Sequence, residues 1–158
     1  MTFTLTSPTL TDNATLPLAH VHTDAGGQNH SPELHWANPP AGTKSFALSC
    51  YDPDAPTGSG FWHWYIINLP GDARSLGENA AASGLPAGAR HARNDYGDYN
   101  YGGACPPPGH GAHRYIFTIH ALDCDRLELP ADVTTARVGF NVWAHSLGSA
   151  SLTGTFGR

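Results

Sequence analysis

Two short segments hold most of the side chains that could do chemistry. The first is Asp52-Pro53-Asp54-Ala55-Pro56, followed by Phe61-Trp62-His63-Trp64. Proline restricts the backbone, so the two carboxylates sit on a stiff loop and lose little entropy when they engage a ligand. Eleven residues carry the chain from Asp52 to His63, enough for a hairpin-like return. That return predicts His63 beside Asp52, with the carboxylate orienting the imidazole and favouring its protonated form. The second segment is Tyr101-Gly102-Gly103-Ala104-Cys105-Pro106-Pro107, then Gly109, then His113-Arg114-Tyr115. Glycines let backbone N–H groups approach a ligand closely, and prolines stiffen the rim. His113 and Tyr115 alternate with Arg114, so on a strand they share one face. A ring nitrogen and a hydroxyl can both donate to an anion.

This inventory suits holding an anion better than transforming a substrate. Asp52 and His63 resemble the orienting half of a hydrolytic triad, but the nearest hydroxyls, Ser49 and Ser59, lack a nucleophile-elbow context. Cys105 with His113 is a second nucleophile–base pairing, although prolines beside Cys105 suit a backbone role. No GxSxG, Walker or dinucleotide fingerprint occurs. A binding protein is therefore expected rather than an enzyme. The alternative is a hydrolase of a small ester or phosphoester using Asp52 and His63. Histidine pairs at His20/His22 and His110/His113 lack a third ligand at a metal spacing, so neither a metal nor a cofactor is expected.

The elements that must position these residues read mainly as strands. Phe46, Leu48 and Cys50 alternate along 45–51, as a half-buried strand requires, until two prolines end it. Residues 62–69 form an apolar run, read as a strand buried on both faces. Residues 72–100 read as a long excursion with little regular structure, a feature that is commonly functional. Residues 114–122 alternate again, with Tyr115, Phe117, Ile119 and Ala121 on one face. A helix is expected from about Thr134 to Leu147, capped by Thr134 or Asp132, with Ala136, Phe140, Trp143, Ala144 and Leu147 on its apolar side. A last strand over 151–156 places Leu152, Gly154 and Phe156 together. Helices do not alternate with strands, so a sandwich or rolled sheet is expected rather than a parallel α/β fold.

The bulk numbers agree. The chain has 158 residues, one domain's length, with 40% apolar and 13% charged residues, as in a globular protein. Its net charge of −5, on only eight Lys and Arg, argues against a nucleic-acid partner. Arg90-His91-Ala92-Arg93 reads as a solvated loop. Three cysteines without a CxxC argue against a disulfide scaffold or zinc knuckle. The opening MTFTLTSPTL lacks basic residues and an apolar run, and no segment has the length of a membrane span, so a cytoplasmic location is expected. Trp36, Trp62, Trp64, Tyr99 and Tyr101 are expected to expose an apolar patch suited to a homodimer.

Taken together, the blocks resemble the phosphatidylethanolamine-binding protein family, in its bacterial branch similar to Raf kinase inhibitor proteins. The carriers are Ser31-Pro32-Glu33-Leu34-His35-Trp36, Asp52-Pro53-Asp54-Ala55-Pro56, His63-Trp64, Gly103-Ala104-Cys105-Pro106-Pro107 and His113-Arg114-Tyr115, with Ala121-Leu122-Asp123 and Gly154-Thr155-Phe156-Gly157-Arg158 beside them. The resemblance runs end to end as a single domain. It implies a mainly β fold, with a central antiparallel sheet, a smaller second sheet and one or two helices. It also implies one surface cavity for a phosphate, a carboxylate or a phosphoethanolamine-like group, or a phosphorylated residue of a protein partner, and a role in regulating a kinase or protease. On that basis Asp52 and His63 match the cavity's Asp and His, and Asp54 lies beside them. Ala55, Pro56 and Phe61 match its wall, Gly103, Cys105 and Pro106 its backbone rim, and His113 and Tyr115 its remaining polar groups. Many members carry proline at the position of Ala104, which implies a looser loop here. The long C-terminal helix of eukaryotic members is not evident in the sequence.

Overall fold

The computed structural model describes residues 1–158. In chain order it contains β1 (Thr4–Thr6), β2 (Ala14–Thr15), β3 (Leu34–Ala37), β4 (Ser45–Asp52), β5 (Phe61–Pro70), β6 (Ser75–Leu76), α1 (Ala80–Ser83), β7 (Arg90–His91), β8 (His113–Leu122), α2 (Thr135–His145) and β9 (Ser146–Phe156). Six strands form one sheet in the order β2-β9-β8-β4-β5-β7. Its pairings are antiparallel except β2 with β9. A smaller sheet has the order β1-β3-β6. The fold is thus mainly β with two sheets and two helices, as the sequence leads one to expect.

The larger sheet buries both faces. On one, Phe46, Leu48 and Cys50 of β4 and Tyr115, Phe117, Ile119 and Ala121 of β8 pack with Leu5, Leu34 and Trp36 from the small sheet. On the other, Ala47, Tyr65, Ile67 and Leu122 meet Val138 and Val142 of α2. This second layer is why β4 is buried along nearly its whole length, rather than on one face only. Helix α2 begins as expected, with the Thr134 hydroxyl accepting from Arg137 N at 3.3 Å. Its orientation differs from the periodicity reading. All five residues assigned to the apolar side are exposed, Phe140 and Trp143 at 64% and 73%. The sheet is met instead by two valines four apart, with Gly139 between them. The sequence carries two apolar stripes, and the one with small side chains is the one buried against the sheet. Of the five aromatics expected to form an exposed patch, Trp36, Trp64 and Tyr101 lie in the core, Trp62 is half-buried and Tyr99 is exposed; Phe140, Trp143 and Leu147 are exposed separately, on and just after α2.

Register irregularities aim side chains. Cys50 pairs with Trp64 and Tyr51 with Trp62, so His63 is an extra residue on β5. A bulge of this kind turns one side chain out of the alternation. Consequently Trp64 joins one core while Trp62 packs toward the other. Segment 72–100 does contain little regular structure, only β6, α1 and β7.

Candidate functional site

Strands β8, β4 and β5 are neighbours, and their antiparallel order brings the start of β8, the end of β4 and the start of β5 to one edge. There Asp52 ends β4, His63 bulges from β5, and His113 and Tyr115 open β8. A cavity of about 210 Å³ lies at this edge. It is lined by Asp52, Ala55, Pro56, Thr57, Phe61, His63, Tyr96, Cys105, Pro106, Pro107, His113 and Tyr115. Nine of the eleven residues expected at the site therefore converge on one cavity.

The pairing inside differs from the expectation. Asp52 does not hold His63. Its Oδ2 accepts from His113 Nδ1 at 2.7 Å, and its Oδ1 accepts from Asp54 N at 2.7 Å. Both residues of the Asp52–His113 pair are almost fully buried. His63 instead donates from Nδ1 to the Gly102 carbonyl at 2.8 Å, and Gly102 N donates back to the His63 carbonyl at 3.0 Å. The physical reason is register: β8 lies directly beside β4, whereas the β5 bulge points His63 at the 101–106 loop. Nε2 of His63 carries no protein partner. With Nδ1 donating, Nε2 of the neutral ring is an acceptor and donates only when the ring is protonated. Burial pushes the His63 imidazole below the usual histidine value, against the opposing effects of the Gly102 carbonyl and the Asp52 charge. The chain of rings continues outward, with His110 Nδ1 lying 2.6 Å from His113 Nε2.

The Tyr115 hydroxyl is buried at the cavity wall with no hydrogen-bond partner. Burial, followed by the charge of Asp52, pushes its pKa far up, so it remains a donor. Buried hydroxyls are rarely left unpaired, because each costs roughly 1–3 kcal/mol.

Asp54 and Gly103 do not line the cavity. Asp54 forks to Arg114, accepting from Nη2 at 2.8 Å, from Nε at 3.0 Å and from the Arg114 backbone N at 2.9 Å. These hydrogen bonds hold its carboxyl at about 2. It fastens the 52–57 loop to β8. Gly103 N donates to Asn29 Oδ1 at 2.7 Å, so that N–H is not free for a ligand. A Cβ there would sit 2.6 Å from the backbone of His20 and His22, so glycine is required by chain packing rather than by a ligand. The same neighbours tie Ala104, whose carbonyl accepts from His22 N at 3.0 Å. The missing proline is thus offset by a parallel bridge to Val21.

Sequence reasoning missed Tyr96, Thr57 and Pro107. Tyr96 comes from the 72–100 excursion. It packs edge-on to Phe61 and His63 and donates to the Gly103 carbonyl at 3.0 Å. Excursion length flagged the segment, but no spacing singles out the residue. Arg158 was also missed. Its Nε donates to the Pro106 carbonyl at 2.7 Å, and Nη2 lies 3.7 Å from Cys105 Sγ. The first of the two histidine pairs is engaged within the protein. His20 donates to the His30 carbonyl and bonds Thr9, while His22 accepts from Asp24 N.

The fold thus sets a small, mostly apolar-walled cavity with a few converging polar groups at the ends of its central strands. The family described as phosphatidylethanolamine-binding protein matches residues 6–157, and the chain belongs to that family. It is 51% identical to the UPF0098 protein YbhB of Escherichia coli (strain K12) over 96% of this chain and 98% of that protein. It is 35% identical to the putative lipoprotein LppC of Mycobacterium tuberculosis (strain ATCC 25618 / H37Rv) over 97% of this chain and 71% of that protein. The crystal structure of Escherichia coli YbcL, described as a member of the mammalian PEBP family, superposes with a TM-score of 0.95 at 39% identity, covering 99% of this chain and 98% of that one. No helix here is long and apolar enough to cross a membrane.

Proposed function

We propose that the cavity binds a small anion or the anionic end of a larger ligand: a phosphate, a carboxylate, a phosphoethanolamine-like head group or a phosphorylated side chain of a protein partner. The observation that carries this reading is the Tyr115 hydroxyl, a buried donor without a protein partner at the cavity wall. Its neighbours support the same chemistry. His113, engaged by both Asp52 and His110, shapes the wall beside His63, and protonation makes His63 Nε2 a second donor. A monohydrogen phosphate monoester, which brings an ionisable proton, suits such a histidine better than an acid that is fully ionised.

The hydrolase alternative loses its central pair, because Asp52 orients His113 rather than His63. Binding without turnover is the better reading.

Tyr115→Phe separates ligand from fold. Titration calorimetry should show phosphate and phosphoethanolamine binding weakened about tenfold, the equivalent of one lost hydrogen bond. The folding stability should stay level or rise, since an unpaired hydroxyl leaves the interior. Heats measured in buffers of different ionisation enthalpy should show proton uptake on binding. Equal affinity in wild type and variant, or no binding by the wild type, would reject the proposal.

A further inference from the structure

A second cluster of reactive side chains lies at the other end of β8, a strand's length from the cavity. Ala121 pairs with Gly148 and Leu122 with Ser146, so Leu147 is looped out of the ladder. That bulge brings the end of α2 opposite the residue after β8. Asp123 N donates to the His145 carbonyl at 3.0 Å, and His145 Nδ1 lies 2.8 Å from Asp123 Oδ1. Cys124 follows, and its carbonyl accepts from the buried Ser45 hydroxyl at 2.6 Å. One ligand atom from each of Asp123, Cys124 and His145 falls within 4.8 Å of the others.

We propose that Asp123, Cys124 and His145 form a binding site for a divalent d-block cation of the zinc type. The donor set is the first argument. A thiolate, an imidazole and a carboxylate are the three protein ligands that zinc uses, and together they disfavour magnesium or calcium, which take oxygen alone. Preorganisation is the second. Asp123 and His145 are clamped by a main-chain bond across the bulge, and Cys124 is pinned through Ser45, so little ordering is left for the metal to impose. Local charge is the third. The charges of Asp123 and Asp125 act on the Cys124 thiol, opposed by that of Lys44. The C-terminal end of α2, where His145 sits, also favours positive charge. Three protein ligands leave a fourth position for water, and the cluster is open enough to exchange it. Asp123 and His145 side by side could be no more than an ion pair. Cys124, next to Asp123 in the chain and with its carbonyl held by Ser45 of β4, brings to the same point a thiol that an ion pair does not require.

The test uses the full chain, stripped with a chelator and titrated with cobalt(II), then zinc. A one-to-one complex is expected, with a thiolate-to-cobalt charge-transfer band in the near ultraviolet that zinc abolishes by displacement. Cys124→Ser should remove the band. His145→Ala and Asp123→Asn should each weaken binding by at least the ~10-fold that loss of even an outer-shell partner costs. Zinc should raise the thermal midpoint of the wild type and leave that of His145→Ala unchanged. Absence of the band in the wild type overturns the proposal. So does its persistence in Cys124→Ser, which would assign it to Cys50 or Cys105. Because these residues take no part in the cavity, phosphate binding is read separately and stands or falls on its own.

Discussion

Asp52 spends both carboxylate oxygens inside the protein, on His113 and on the backbone of Asp54. It is therefore a positioning group for the ring and the loop. Replacing it with asparagine leaves one of those donors facing an amide N–H, in a place closed to water. Asp52→Asn should cost about 2 kcal/mol in chemical denaturation, the usual worth of a buried charge-assisted hydrogen bond. A loss below about 0.5 kcal/mol would mean that the pair is not formed. The types of the site residues were legible in the sequence, because proline-flanked carboxylates and a His-x-Tyr pair are informative side by side. Their partners were not. Which histidine Asp52 meets depends on strand order and on one inserted residue in β5, and neither leaves a mark in the local pattern. Gly103 was misread for a similar reason, since the chain that crowds it comes from His20 to His22.

Among the elements, α2 shows how a correct period can hide a wrong face. Its start followed from Thr134, one of two expected caps, but it ends at His145, where β9 takes over, rather than at Leu147. Its buried side is set by Val138 and Val142, whose small volume fits against Ala47, Tyr65 and Leu122. Val142→Ala should cost about 2 kcal/mol, as a cavity opens under the helix. Trp143→Ser, although a far larger change, should stay within about 0.5 kcal/mol, because the indole is 73% exposed. Urea melts of the two variants decide between the faces. The strands were easier to read. Alternation in β8 and the unbroken apolar run of β5 each reflect what covers the sheet, and both appear where the sequence puts them.

At the scale of the whole molecule, four histidines are held below their ordinary value by burial: His20, His63, His91 and His120. His120, under α2, is pushed down to about 4. Between about 6.5 and 4 the unfolded chain binds a proton at this position that the folded chain refuses, so stability falls as pH falls through that window. The other three act in the same direction. The thermal midpoint should drop steadily on acidification from pH 7 to 4, and His120→Asn should flatten the slope. A midpoint that rises toward pH 4 would contradict the burial of these rings.

Strand β9 follows every other strand in the chain yet lies second in the order of the large sheet, between β2 and β8. A growing polypeptide can pair β4 with β5 and β8 as it emerges, but β2 must wait unpaired for a partner made more than a hundred residues later. Final closure is thus deferred until β9 has emerged, and nascent chains halted before Ser151 should remain open to protease. Long-range pairing of this kind slows folding and leaves an exposed edge in the meantime. In a cell, the interval between the emergence of β8 and the arrival of β9 is when this chain would most need a chaperone.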